Sequence, residues 1–549
     1  MASSPLLQTR RRTAGQLRAL VWVERQIREC HPKPRHKYLR EFREAFASYE
    51  SVATTAELQQ SLRQAEIILL GDYHALPASQ LYATKLLEQL KEAGRSVVLG
   101  LEALLARDQR ILDSWLRSEI SDDELRHRLR FDAKWGFPWE PVCQLLRIAR
   151  KNAIHVYGLD CEPRADFRAI GVRDRHAAMK IAEIRKRHPE AVLLVLFGES
   201  HLAPQHLPAA LKHSCPEQRT LTLLQNLDSL YWQAAQENSP AQAVRVRENS
   251  YCVLHSTPLE KRESYRLCLE RWRECRPRVP DLEPSFHNLL DSLLFFFNID
   301  KCAASGPRFL VDLLPEIAVQ PSRLDAQRFL QQRGLTPHVA NEIARRLDAR
   351  GSLYLPEWNS ILVQRFQLTE ASEDVTRFLH RACSGTCDSH LEDQESFYAA
   401  VIAQALAYVG SRVLNPARPR LREQDLYGLY TMTADEIEPR FAFPHRNFLR
   451  MIDFLVLHKD FEANVRHYFH PPALIAEGLV ATGRERLFLI EHLGNMLGTQ
   501  LFDSFVEGAL SKRALRGLLF QDLSALGAAR ELYSSLAVRV ASRSRRLAA

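Results

Sequence analysis

The chain has 549 residues, of which 46% are hydrophobic and 26% charged, and its formal net charge is +8. Domains usually hold roughly 100–200 residues, so we expect two or three of them, and this apolar content excludes disorder on a large scale. The positive charge is spread along the chain without a nucleic-acid-binding motif, which argues against a nucleic-acid partner.

The first 50 residues predict a helical extension. Gln16–Cys30 has apolar residues at helical spacing, and Tyr38–Ala47 predicts a second helix. We find no apolar stretch of signal-peptide length, no cysteine placed for lipidation and no run of the ~20 apolar residues that a membrane helix needs. The ten cysteines are scattered, as in proteins with reduced thiols. We therefore expect a cytoplasmic protein without a membrane span.

Residues 51–276 predict strands that alternate with helices. Such alternation is typical of an α/β domain with a largely parallel sheet covered by helices on both sides. The predicted helices include Ala78–Ala93, Pro141–Asn152, Arg173–His188 and Leu259–Glu274. Short apolar runs predict strands at Ile67–Leu70, Val97–Leu99, Ile154–Leu159, Ala191–Phe197, Arg219–Leu224 and Ser250–His255.

After Pro277 the strand signal disappears. Long helical patterns cover Glu395–Leu414 and Arg484–Val506, so we expect residues 277–549 to form an all-α domain whose function the pattern does not indicate. Within it, Cys383, Cys387 and His390 form a C-x3-C-x2-H cluster. A zinc site needs four ligands and no further pair stands nearby, so free thiols in a loop are the favoured interpretation.

Three predicted strands end in a glycine that is followed by polar residues. These segments are Gly71-Asp72-Tyr73-His74, Gly100-Leu101-Glu102 and Gly198-Glu199-Ser200-His201. Ligands of open parallel sheets bind at the carboxyl ends of the strands. We therefore predict that His74, Glu102, Glu199 and His201 gather at one edge of the sheet.

Histidine and carboxylate groups together have two principal chemical uses. Three of the residues, His74, Glu102 and His201, are candidate ligands for Zn, Mn or Fe. Together with Glu199 they are also candidate catalytic acid/base groups, since a carboxylate orients a histidine and raises its basicity. Asp160, at the end of the third predicted strand, is a further candidate for this cluster, but a solvated or helix-capping carboxylate is the favoured interpretation.

As a set, the three segments resemble the ChaN-like superfamily (haem-binding uptake proteins, Tiki proteins and erythromycin esterases). Supporting segments follow in the same order, including Trp135-Gly136, Tyr157-Gly158-Leu159 and Arg173-Asp174. The resemblance covers about residues 65–276. It implies a ChaN-like fold with a ligand site at the strand ends, but fold-level analogy does not select one reaction.

Three functions follow from the resemblance and stay open at this point. One is a protein that binds haem or an iron-type metal, with Tyr73, His74 and His201 as cofactor ligands. Another is a metal-dependent hydrolase in which His74, His201, Glu102 and Glu199 hold the metal or activate water. The third is an interaction protein with a degenerate site. A haem site shared across a homodimer is also consistent with the family.

Two features depart from the family pattern. Asp72 stands where the family usually has glutamate, which places a carboxylate about one ångström further back. ChaN-like uptake proteins are typically lipoproteins, so the missing lipidation signal favours intracellular haem or metal handling. Nearby, an aromatic cluster of Trp135, Phe137 and Trp139 is compatible with a cover for a porphyrin face or with ordinary packing between helices.

Overall fold

In the computed structural model, the residues form two compact units. One spans Leu20–Pro280, and the other combines Asp281–Ala549 with the residues just before Leu20. The predicted separate extension and domain limits stay predictions. The structure describes residues 13–30, 36–162, 170–236, 242–273, 281–300, 314–385, 393–432, 444–464, 475, 478–479 and 483–548.

The first unit is built on one mixed sheet, which has eight strands among the described residues. In space the strands follow the order β1-β7-β8-β6-β2-β5-β3-β4, and only the β1–β7 and β7–β8 pairs are antiparallel. The strands are β1 (Ser51–Ala53), β2 (Ile67–Asp72), β3 (Val97–Leu105), β4 (His155–Asp160), β5 (Val192–Gly198), β6 (Thr220–Gln225), β7 (Ala243–Arg247) and β8 (Ser250–Val253).

Burial explains why the central strands were readable from the sequence. Every residue of β2 and β5 is buried, because helices cover both faces of a parallel sheet and both faces must then be apolar. On one face, side chains such as Leu70 and Leu99 pack against Leu87 and Leu146 of two covering helices in a continuous core. The α/β fold class is thereby confirmed, whereas the short strands β1 and β7 were not predicted.

Helices of this unit connect successive strands, and each returns the chain from the carboxyl end of one strand to the amino end of the next. Pro77–Glu92 follows β2, and Ile170–Arg187 lies between β4 and β5. The others are Ala14–Cys30 (whose residues before Leu20 are assigned to the second unit), Lys37–Ala45, Thr55–Gln64, Gln109–Leu116, Asp122–Arg128, Phe131–Lys134, Trp139–Lys151, Leu207–Ser214, Asp228–Gln236 and Pro258–Arg273.

The second unit is mainly helical, and its described part is helical from Leu368 onward. It also holds a small sheet that the sequence did not predict, formed by β9 (Glu316–Val319), β10 (Ser352–Leu355) and β11 (Ser360–Val363) in the order β10-β11-β9. The helices are Glu283–Phe297, Arg323–Gln332, Pro337–Arg350, Leu368–Ser384, Asp393–Leu414, Glu423–Leu429, His445–Ala463, Gly483–Val506, Lys512–Leu519 and Ala528–Ala548.

One described segment, Glu395–Leu414, is long and apolar enough to cross a membrane by length and composition alone. However, 89% of its most apolar window is buried inside the protein, as in the core helices of globular domains. The expected lack of a membrane span therefore stays a prediction.

Candidate functional site

Three neighbouring strands bring the predicted polar residues together. His74 follows β2, Glu102 lies near the end of β3, and His201 lies in a single helical turn after β5. Since β5 pairs with both β2 and β3, these ends are adjacent. Nε2 of His74 is 3.5 Å from Oε2 of Glu102, and Nε2 of His201 is 3.7 Å from its Oε1. One carboxylate therefore faces two imidazoles.

Gly198 lies at the centre of this cluster. Its backbone N–H donates a hydrogen bond to Oε2 of Glu102. A side-chain carbon at this position would lie 2.9 Å from Oε2 of Glu102, 3.2 Å from Nε2 of His74 and 3.3 Å from Cδ2 of His201. Glycine is thus required here so that the backbone can approach the three side chains.

Each imidazole is held by an aspartate through its Nδ1 atom. Nδ1 of His74 is 2.7 Å from Asp72, whose other oxygen accepts a hydrogen bond of 2.5 Å from Gln80. Nδ1 of His201 is 2.6 Å from Asp174. A carboxylate on Nδ1 fixes the orientation of the ring and makes Nε2 more basic. The shorter Asp72 side chain thus supports His74 rather than reaching into the cluster.

A tyrosine that the sequence did not indicate completes the pair of His201 and Asp174. Tyr38, on the helix Lys37–Ala45, places its hydroxyl 2.9 Å from both Asp174 and Nδ1 of His201. Its ring stacks on His206 with 3.5 Å between centroids. Burial and the Asp174 carboxylate raise the pKa of Tyr38, so the hydroxyl stays protonated and donates to Asp174. No signal around Tyr38 distinguishes it from an ordinary buried helical residue.

Arg173 is a further member of the cluster. It donates hydrogen bonds of 2.8 and 2.9 Å to Asp160 and one of 2.5 Å to Glu102. The interpretation of Asp160 as a solvated or helix-capping carboxylate was wrong, because its side chain is fully buried against this guanidinium. Arg173 was indicated only as part of a supporting segment of the resemblance, and nothing local in the sequence links position 160 to position 173.

The charges of the cluster set its protonation. Burial disfavours an ionised Glu102, but His74, His201, Arg173 and the Gly198 N–H outweigh it and lower the pKa of Glu102 to about 2. Burial also disfavours a protonated His74, but the carboxylates of Asp72 and Glu102 outweigh it and raise the pKa of His74. Glu102 is therefore an anion at neutral pH, and His74 is a stronger base than a free imidazole.

Glu199 and Tyr73 do not join this cluster. Glu199 forms an ion pair of 3.0 Å with Lys261, whose ammonium also lies 4.4 Å from the centre of the Tyr73 ring. Burial raises the pKa of Glu199 despite the opposing effect of Lys261, and burial raises the pKa of Tyr73 well above its usual value. The predicted catalytic role of Glu199 and cofactor role of Tyr73 stay predictions, at a position separate from His201.

Aromatic side chains lie beside the one partly open member of the cluster. His74 has 22% of its side chain exposed, and its ring lies 4.9 Å from Trp135 and 5.2 Å from Phe137 between centroids. Phe137 continues to Trp272 at 5.3 Å. Trp139, by contrast, is a buried core residue. We call Trp135, Phe137 and Trp272 the aromatic wall.

Haem is the cofactor that the family implies, and the predicted ligands do not fit it as they are arranged. Nδ1 of His74 is bonded to Asp72, and its Nε2 faces Glu102. His201 is 3% exposed. Burial keeps Tyr73 in its phenol form, which disfavours the phenolate that binds iron.

The metal ligands predicted from the sequence, His74, Glu102 and His201, do come together. Imidazole and carboxylate suit Zn, Mn or Fe in kind. However, the two oxygens of Glu102 already accept hydrogen bonds from Arg173 and Gly198. In the part of the chain that the structure describes, no group of three or more His, Cys, Asp or Glu is arranged to hold a metal ion. Metal binding at this site stays a prediction.

The C-x3-C-x2-H cluster can be followed only in part. Cys383 is a buried free thiol, and burial raises its pKa to about 12. Cys387 and His390 lie outside the described residues.

The comparison with protein families matches a segment of the first unit. Residues 58–171 match the family model described as "Haem-binding uptake, Tiki superfamily, ChaN". The chain therefore contains a ChaN-like domain, as the sequence predicted. A comparison with curated proteins gives no match.

Two solved structures are similar to part of the chain. One is described as "Cofacial heme binding to ChaN of Campylobacter jejuni", with 12% identity and a TM-score of 0.24, covering 33% of this chain and 92% of that one. The other, the type III effector HopBA1, has 14% identity and a TM-score of 0.29, covering 39% and 98%. TM-scores this low support no statement about function.

Proposed function

We propose that the ChaN-like domain of this chain is a hydrolase that activates water with His74. The observation that carries the proposal is the position of that imidazole between two carboxylates, with part of its ring exposed. Its Nδ1 is held by Asp72 at 2.7 Å, its Nε2 faces the Glu102 carboxylate at 3.5 Å, and it is partly exposed beside the aromatic wall. An oriented imidazole with solvent access is the usual general base of enzymes that work near neutral pH.

The proposed reaction is attack of water on a carbonyl group, followed by loss of the leaving group. A water molecule at Nε2 of His74 gives its proton to the imidazole while its oxygen forms a bond to the carbonyl carbon of the substrate. Asp72 and Glu102 stabilise the imidazolium that results, because both carboxylates raise its pKa. The bond to the leaving group then breaks, and His74 returns the proton to the leaving oxygen. The products are a carboxylic acid and an alcohol.

Carboxylic esters are the substrate class that this arrangement favours. An alkoxide leaves with less help from a strong acid than an amine does, and only one imidazole of the cluster is partly exposed. His201 is buried and bonded to Asp174 and Tyr38, so its role is to position Glu102 rather than to touch substrate. The aromatic wall offers an apolar surface to the acyl or alcohol part of the ester.

A panel of p-nitrophenyl and naphthyl esters tests the proposal with the full chain. We expect turnover that falls at least about 100-fold in His74→Gln, the range that general bases contribute. The matched control is His155→Gln, which changes an exposed histidine at the start of β4, the opposite end of the strand from the site. Turnover that is equal in all three proteins, or is absent from the whole panel, would contradict the proposal.

Haem binding is a second candidate, favoured by the family match at residues 58–171 and by the aromatic wall; it requires Nε2 of His74 to turn away from Glu102, because the present arrangement does not fit haem. Titration with hemin tests it directly. A saturable Soret band that is lost in His74→Gln but kept in His155→Gln would support binding at this site. A Soret band that is kept in both variants would show that haem binds elsewhere and would contradict haem binding at His74.

A further inference from the structure

A cavity of about 420 Å³ opens at the amino ends of the strands, whereas the His74 cluster lies at their carboxyl ends. Its lining includes Ala65, just before β2, and the first residues of β6 and β8, Thr220 and Ser250. These three strands run parallel, so the cavity lies at their amino ends. Its volume falls in the range of roughly 300–1,000 Å³ that suits small-molecule ligands. The proposed hydrolase makes no use of it.

Positive charge predominates around the cavity. Lys212, Arg219 and Arg247 line it, against one acidic residue, Glu248. Arg219 is 70% exposed and has a contact of 3.6 Å with Glu66. Two cations in excess favour an anionic ligand, and guanidinium groups recognise carboxylate and phosphate-like oxygens.

About half of the uncharged lining residues are apolar. Phe46, Leu202 and Pro204 contribute carbon surface, and the guanidinium of Arg247 lies 5.2 Å from the centre of the Phe46 ring. Arg247 also donates a hydrogen bond to the carbonyl of Ala45, which fixes its position. Carbon surface beside fixed polar groups is typical of sites for organic molecules rather than for bare ions.

We propose that this cavity binds a small organic anion with an apolar body and one oxyanion group. The apolar body packs against Phe46, Leu202 and Pro204. The oxyanion lies toward Lys212, Arg219 and Arg247. The ligand class is set by the charge excess together with the carbon surface, since either feature alone would suit a different molecule.

Calorimetric titration of the full chain with 1-naphthalenesulfonate tests the ligand class. This probe combines an aromatic body with one anionic group that hydrolases do not remove. Inorganic sulfate and neutral 1-naphthol carry the two features separately. We expect the sulfonate to bind at one per chain and at least about tenfold more tightly than either control, a factor that corresponds to one good charge-assisted contact. Equal affinity for 1-naphthol would overturn the proposal.

Variants locate the binding. The double change Lys212→Glu and Arg219→Glu should weaken sulfonate binding at least about tenfold, because it replaces two attractive charges with repulsive ones. The matched control is Lys85→Glu, an exposed residue on Pro77–Glu92 that does not line the cavity, and it should change affinity less than about twofold. An unchanged affinity in the double variant would overturn the proposal.

Discussion

Gly198→Ala is the change that tests the packing of the cluster most sharply. Its methyl group would lie 2.9 Å from Oε2 of Glu102 and 3.2 Å from Nε2 of His74. Glu102 has little room to withdraw, because Arg173 holds its other oxygen at 2.5 Å. Overpacking of this kind costs about 1–3 kcal/mol, and we expect the free energy of unfolding to fall by that amount.

The matched control is Gly71→Ala on the paired strand β2. A methyl group there would meet Glu199, Leu202 and Leu224 at 3.4 Å each, which is ordinary van der Waals contact. Since replacing glycine where alanine fits restricts the unfolded chain and stabilises by about 0.4–1 kcal/mol, this variant should be at least as stable as the parent chain. The two variants differ only in what the same methyl group meets.

Urea unfolding followed by tryptophan fluorescence measures the difference in the relevant unit. Six of the seven tryptophans precede residue 280, so the signal comes mainly from the α/β unit. We expect the midpoint of Gly198→Ala to fall and that of Gly71→Ala to stay at or above the parent value. Equal midpoints for the two variants would refute the claim that three side chains converge on Gly198.

Three further predictions concern charged groups of the α/β unit. Arg173→Met should destabilise the chain by about 3–5 kcal/mol in urea unfolding, because it leaves two carboxylates buried without their cation; a loss below about 1 kcal/mol would show that they do not depend on it. Because folding raises the pKa of His74, protonation of this imidazole stabilises the folded state. The stabilisation is complete below about pH 6.5 and is lost as the pH rises through the pKa of His74 in the folded protein. The stability advantage over His74→Gln should therefore shrink from acid toward alkaline pH, and a constant difference would refute the pKa direction. Glu199→Gln should lower stability by weakening the Lys261 pair yet retain ester hydrolysis, whereas Glu102→Gln should lose it; loss of hydrolysis in both would return Glu199 to the cluster.

The central part of the fold could be predicted because its strands are buried on both faces. Apolar runs such as Ile67–Leu70 and Ala191–Phe197 need no partner to be recognised, and a glycine marks the end of each. No such signal marked the short strands β1, β7, β9, β10 and β11. β7 alternates valine with arginine, and β9 to β11 hold four residues each, too few to separate a strand period from chance.

The candidate site could be predicted as far as strand adjacency reaches. His74, Glu102 and His201 come together because the carboxyl ends of paired parallel strands lie at one edge. Tyr38 arrives from a helix before the sheet, so its contact with His201, 163 positions away, has no local pattern. Glu199 was predicted in the cluster but lies outside it. The turn after β5 directs Glu199 to Lys261, while His201, two residues later, faces Glu102.

The pH dependence of kcat/KM for ester hydrolysis, measured for the parent chain and Asp72→Asn, tests the central claim most directly. A general base must be neutral, so activity falls in acid, and the raised pKa of His74 places this fall above about pH 6.5. Asp72→Asn removes the nearest carboxylate and should move the fall to lower pH. An acid limb at the same pH in both proteins would contradict the assignment of His74 as the base held by Asp72.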